Sequence, residues 1–248
     1  MTHRIQIAKK GFTLAEVLIT IGIIGVIAAM TIPTLINNTN KVEAVTALKK
    51  SYAILSQVHE MLAADNGSFA DAVGSIASSE GFANIFAQKM KVVKNCGPKT
   101  EASDCFTNAY KKIDNSSTIN FSDLIGDDFF QVPSKEFNPL ITADGMAYAF
   151  ALTKDSTCSF QVLPSPLLNQ VCGLVGVDIN GPNKNPNKIG RDLFVFWITR
   201  NGIYPCGTEA DNDKNIINDD CNPTGTPPST QDGFYCAKKI FDEGAMNY

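Results

Sequence analysis

Hard oxygen donors crowd one short stretch of the 248-residue chain, where Asp178, Asn180, Asn183, Asn185, Asn187 and Asp192 are interleaved with Gly181, Pro182 and Gly190. Calcium takes roughly six to eight oxygens from carboxylates, amides and carbonyls, and Asp178, Asn180, Asn183 and Asp192 can supply several of them. The spacing is not that of an EF-hand, and a metal-free Asn/Gly/Pro-rich turn is the competing reading. A second acidic run, Asp211, Asn212, Asp213, Asp219 and Asp220, offers the same donors with less order. Seven cysteines, Cys96, Cys105, Cys158, Cys172, Cys206, Cys221 and Cys236, all lie beyond residue 95, and none forms the CxxC pair that holds zinc or does thiol chemistry. Their clustering predicts a disulfide-stapled domain in an oxidising compartment. Cys96 and Cys105 enclose a short loop, and Cys158 with Cys172 can staple neighbouring strands. Of Cys206, Cys221 and Cys236 one stays free or pairs elsewhere; Cys221 with Cys236 is favoured because Cys206 sits in a tight turn between Pro205 and Gly207.

The same inventory excludes several chemistries. The only histidines are His3 and His59, so residues 66–248 hold no Ser-His or Cys-His nucleophile and no His-ligated zinc. No glycine-rich loop ends in Lys-Ser/Thr, which removes the usual phosphate cradle. The acidic residues gather in turn-like segments, where capping and solvation outweigh general acid-base work. The chain therefore reads as no enzyme, with no catalytic residues. Net charge is −4, and since Arg4, Lys9 and Lys10 all fall in the first eleven residues, the remainder carries 18 basic against 25 acidic side chains, or −7. No nucleic-acid partner is predicted for so acidic a body.

These residues must be positioned by the elements around them. From Phe12 to Ile36 the chain is apolar apart from Thr13, Thr20, Thr31, Thr34, Pro33 and one charge, Glu16. A helix needs about 20 such residues to cross a bilayer. Arg4, Lys9 and Lys10 precede the span and Asn37, Asn38, Thr39 and Asn40 follow it, which puts the N-terminus in the cytoplasm and the rest outside. An ordinary secretory signal has a shorter apolar core of about 7 to 15 residues, although Ala28 and Ala29 imitate its cleavage site. Glu16 costs about 2.5 to 3.5 kcal/mol in an apolar span unless a partner neutralises it. Val45, Leu48, Tyr52, Leu55, Val58 and Leu62 then recur at three- and four-residue steps, so one helix is predicted from Phe12 to about Ala64, stopped by Asn66 and Gly67. Beyond it, helices are predicted over Gly81–Val93 and Ser103–Ile113, and strands over Met146–Leu152, Cys158–Leu163, Val171–Ile179 and Leu193–Thr199. The fold class is α+β, a long N-terminal helix packed on an antiparallel β-sheet head. Aromatic residues Phe194, Phe196, Trp197, Tyr204, Phe234 and Tyr235 alternate in a manner that favours core packing over a contact surface.

The segment KKGFTLAEVLITIGIIGVIAAMTIPTL, Lys9 to Leu35, resembles the prepilin signature of type IV pilins and type II secretion pseudopilins. The resemblance implies a leader, residues 1–11, that prepilin peptidase removes between Gly11 and Phe12 before N-methylating Phe12. It implies that Glu16 pairs with the Phe12 amine of a neighbouring subunit during assembly, and Pro33 matches a family position. It divides the rest into a 12–65 helix, of which 12–36 is transmembrane and filament core, and a 66–248 disulfide-stapled head in a pilin-like ladle. The implied partners are prepilin peptidase, other pilin or pseudopilin subunits and an inner-membrane assembly platform; the implied location is the inner membrane, head periplasmic, then an extracytoplasmic filament. Pilins often fasten a C-terminal loop by a disulfide, and related pseudopilins include calcium-binding loops. The large body favours a minor subunit. A membrane-anchored extracellular adhesin is the alternative, and the motif does not separate pilus, secretion pseudopilus and DNA-uptake filament.

Overall fold

The computed structural model describes residues 11–101, 103–107, 109–126, 130, 132, 135–153, 157–162, 165–210, 213–224 and 232–248. Arg4, Lys9 and Lys10 of the leader, and Asp211 and Asn212 of the second acidic run, lie outside them. The chain divides into two compact units, Met1–Lys41 and Val42–Tyr248. Helix α1, Leu14–Asn66, contributes to both. In the first unit its side chains are almost all exposed, among them Leu18, Ile19, Ile21, Ile23, Ile24 and Ile27.

The second unit is built on an antiparallel sheet. Its strands are β1 (Val92–Asn95), β4 (Asn138–Thr142), β5 (Ala147–Leu152), β6 (Val171–Asp178), β7 (Leu193–Thr199) and β8 (Gly202–Pro205), in the order β1-β4-β5-β6-β7-β8. A separate hairpin joins β2 (Ala109–Lys111) to β3 (Thr118–Asn120). Short helices α2 (Phe69–Val73), α3 (Ser79–Ala87), α4 (Phe121–Ile125), α5 (Lys214–Asp220) and α6 (Cys236–Glu243) complete it.

Strand periodicity decides which residue meets which layer. On β5, Tyr148, Phe150 and Leu152 enter one core, while Ala147, Ala149 and Ala151 enter the other. On β7, Phe194, Phe196 and Ile198 take the first side, and Leu193, Val195 and Trp197 the second. The first core receives Val45, Leu48, Leu55, Val58 and Leu62 of α1, with Phe82 and Phe86 of α3 and Ile240 of α6. The second receives Phe106, Tyr110, Phe121, Ile125 and Phe137. Buried on both faces, the central strands need no polar row, which is why they read as nearly continuous apolar runs. At Gly176 a Cβ would stand 2.6 Å from the Phe121 ring, so only glycine lets α4 close on β6.

The α+β class, with its long N-terminal helix and antiparallel sheet, is the observed one. Three local expectations are corrected. The Gly81–Val93 helix stops at Ala87, and Val92 and Val93 open β1 instead. No helix spans Ser103–Ile113: Ser103 bridges Phe106 and Ala109–Lys111 is β2, because the Tyr110 hydroxyl is drawn to a buried carboxylate at Asp178. Cys158–Leu163 is not a strand among the described residues; Cys158 has φ 57° and only Phe160 bridges Val171, while Leu163 lies outside the description. His59 is 5% exposed, its Nε2 2.9 Å from the Thr199 carbonyl oxygen and its ring stacked on Phe69 at 4.1 Å.

Candidate functional site

Ahead of α1, Gly11, Phe12 and Thr13 are not helical, and Thr13 caps the helix that Leu14 begins. The carbonyl of Thr13 accepts from the Val17 N–H at 3.2 Å, and its Oγ1 accepts from the Glu16 N–H at 3.3 Å. In return Glu16 Oε2 accepts from the Thr13 N–H at 2.8 Å and from the Thr13 hydroxyl at 2.9 Å. This is a capping box, two orphan N–H groups satisfied by one Thr/Glu pair. The carboxylate is thus held at the positive end of the helix dipole, one turn from Phe12, which is 89% exposed. The Thr-x-x-Glu spacing is the sequence signal for this cap, a role of Glu16 beyond the ion pair expected from the resemblance.

Farther along, the hydroxyls of Thr20, Thr31 and Thr39 donate to the carbonyls of Val17, Ile27 and Leu35 at 2.9, 3.0 and 3.0 Å, which removes their polarity from the surface. Pro33 lies inside the helix and lacks the N–H that would bond the carbonyl four residues back. A Cβ at Gly22 or Gly25 would meet nothing within 4 Å in this chain. The helix is long and apolar enough to cross a membrane.

The Asp178–Asp192 turn between β6 and β7 is a second constellation. Asp178 Oδ1 accepts from the Gly181 and Asn180 N–H groups at 2.9 and 3.3 Å, and its Oδ2 from the Tyr110 hydroxyl at 2.9 Å. Asp192 accepts from the Lys188 N–H at 2.5 Å, the Asn187 N–H at 2.7 Å and Asn180 Nδ2 at 3.4 Å. Asn180 Oδ1 and Asn187 Oδ1 are buried without a hydrogen-bond partner. Asp178, Asn180 and Asp192 are therefore brought together, whereas Asn183 is exposed on the turn. Burial, then the charge of Asp192, pushes the Asp178 carboxyl up to about 7, and burial raises Asp192 as well. Tyr110 is pushed far up by burial and by Asp178.

The second acidic run disperses. Asp213 caps α5, accepting from the Asn215 N–H at 3.0 Å, and Asp219 is exposed. Asp220 is buried and accepts from the Tyr235 and Asp232 N–H groups at 2.7 and 3.3 Å, with burial pushing its carboxyl up to about 6. Disulfides join Cys96 to Cys105, Cys158 to Cys172 and Cys221 to Cys236. Cys206 is free and buried, its thiol 3.4 Å from Glu209 Oε1 and raised by burial. Glu209 also accepts from Trp197 Nε1 at 3.1 Å and the Gly207 N–H at 3.0 Å. Among the described residues, the one His/Cys/Asp/Glu group close enough to share a metal is Asp220 with Cys221 and Cys236, whose sulfurs are bonded to each other.

Compared with known proteins, residues 8–32 match the family described as the prokaryotic N-terminal methylation motif. No curated protein and no solved structure matches the chain. The chain carries the prepilin-type motif of the type IV pilin and pseudopilin class, on a pilin-like α+β architecture. The motif points to a structural protein, and with the apolar helix it fits an inner-membrane anchor.

Proposed function

We propose that this protein is a minor subunit of a type IV pilus-like filament or type II secretion pseudopilus. Residues 1–11 form a leader, 12–65 the helical spine and 66–248 the head. Prepilin peptidase cuts between Gly11 and Phe12 and methylates the Phe12 amine; the subunit waits in the inner membrane, head outward, until the assembly platform adds it to other pilin or pseudopilin subunits. The observation that carries this reading is Gly11-Phe12 set just ahead of Glu16 at the capped start of an exposed apolar helix. An anchor that never assembles gains only a helix cap from that acid, whereas a carboxylate whose cation sits on a neighbour also rewards the correct register. Pro33 loosens the helix where subunits pack, and Gly22 and Gly25, open in the single chain, allow close approach of a neighbouring helix.

Mass spectrometry of the N-terminus in membrane fractions, with and without prepilin peptidase, tests it. A peptide beginning with N-methylated Phe12, lost without the peptidase, is expected. An intact leader in the wild type makes the chain a simple membrane anchor, the adhesin reading, and cleavage near Ala28 makes it a secreted protein. Calcium in the β6–β7 turn is a second proposal, supported by the two buried amide oxygens of Asn180 and Asn187 beside Asp178 and Asp192. Those oxygens, not the exposed Asn183, are the ones in want of a donor or a cation.

A further inference from the structure

Helices α5 and α6 are joined by the Cys221–Cys236 disulfide, and a second contact crosses between them. The Lys239 amine donates to the side-chain carbonyl oxygen of Asn218. The same amine lies 2.8 Å from Glu243 Oε1, one turn farther along α6, and Glu243 Oε2 accepts from Asn247 Nδ2 at 3.0 Å. The Lys239 side chain is only 13% exposed, while Asn218 stands at the open rim. An amine, a carboxamide carbon and a carboxylate touching that amine are the three groups an amide exchange requires.

We propose that Lys239 Nζ and Asn218 Cγ form an intramolecular isopeptide bond, with Glu243 carrying the proton. The carboxylate of Glu243 takes a proton from the Lys239 ammonium, and the neutral nitrogen attacks Cγ, one C=O bond from the oxygen it already contacts. The Nζ–Cγ bond forms and the Cγ–Nδ2 bond breaks. The two protons shed by the amine go to the departing nitrogen, which leaves as ammonium, so Glu243 ends as the carboxylate it began as. Charge and atoms balance, and neither oxidant nor cofactor is needed. The disulfide holds the two helices in register, replacing a bimolecular encounter with a fixed one. At 2.8 Å from the Lys239 amine, Glu243 Oε1 stands within reach of the proton it takes. The exposed rim gives the ammonium its exit. The new ring, 218 to 239, encloses the disulfide ring 221 to 236 and is not opened by reductant. None of this depends on the filament reading.

Intact-mass measurement of the full-length protein, purified in detergent, reduced and alkylated, tests the proposal. The expected mass is lower than that of the linear chain by one ammonia. Trypsin then yields Asn215–Lys238 joined to Lys239–Tyr248, two peptides with no other covalent connection once Cys221 and Cys236 are reduced. Lys239→Arg and Asn218→Ala are expected to restore the full mass, and Glu243→Gln to leave the chain mostly unlinked. A wild type of full mass overturns the proposal, whatever the variants do. So does an ammonia loss that maps to a succinimide at Asn66, Asn180 or Asn201, each followed by glycine, with Asn218 and Lys239 in separate peptides.

Discussion

Glu16 is a single side chain with two tasks. In the isolated chain it closes the capping box with Thr13 and so satisfies two N–H groups at the start of the helix. In the proposed assembly it exchanges those partners for the amine of a neighbour, so the cap keeps the acid satisfied until that neighbour arrives. Glu16→Ala is therefore expected to leave cleavage after Gly11 intact and membrane levels unchanged, while its recovery in sheared filaments falls to background. Immunoblots of the two fractions read this directly, and wild-type recovery of the variant removes the assembly role. Asp178 makes the opposite kind of statement. Its carboxyl is raised from 3.8 to about 7, so the folded form holds a proton that the unfolded chain has released, and the stability this contributes below pH 4 is lost as pH rises through 7. The loss is on the order of a few kcal/mol. Asp178→Asn, which keeps the shape without the charge, is expected to flatten the fall in Tm between pH 4 and 7; an unchanged slope assigns the dependence to other carboxylates.

At the scale of elements, the sheet is where close packing is most exacting. Gly176→Ala places a methyl against the Phe121 ring and is expected to cost about 1 to 3 kcal/mol in urea unfolding; a smaller loss means that α4 shifts freely. The β6–β7 turn is the element on which calcium acts if it acts at all. Millimolar calcium at pH 8 is expected to raise the Tm of the wild type and to leave Asp192→Asn unmoved, and a wild type equally unmoved removes the metal. Much of this architecture was legible. The α1 stripe, β5, β6 and β7 announce themselves because long apolar runs bury deeply whichever partner they find. The short elements did not, for physical reasons. Ser103–Ile113 carries helix-spaced aromatics, yet Cys105 is tied to Cys96 and Tyr110 reaches Asp178 from a strand, contacts distant in sequence that local spacing does not reveal. Strand β8 has only four residues, and its pairing to β7 comes from the Arg200–Gly202 reversal, not from its own pattern. The buried acids were the least readable: Asp220 looks like one more acid in a loop, and only the fold brings the N–H groups of Asp232 and Tyr235 onto it.

For the whole molecule, the buried groups sum to a preference for mildly acidic surroundings. Burial raises Asp178, Asp192, Glu209 and Asp220, each of which loses its contribution as pH climbs. His59 runs the other way: burial lowers it, so its contribution is present above the ordinary histidine range and is lost as pH falls through its folded value. Four acids outweigh one histidine, and the Tm of the full-length protein in detergent is expected to peak below pH 7; a maximum above pH 8 contradicts the balance. The three disulfides also prescribe an order of events. A head that emerges into an oxidising compartment from its membrane-proximal end presents Cys96 then Cys105, and Cys158 then Cys172, so joining each cysteine to the next one emerging gives the native bonds. That rule fails once, at Cys206, which emerges before Cys221 yet must be passed over. Maturation therefore has a single point at which haste makes the wrong bond, and a disulfide isomerase has one substrate linkage to correct, Cys206 to Cys221. Cells lacking the isomerase should accumulate that species, and Cys206→Ser should make the protein indifferent to its loss.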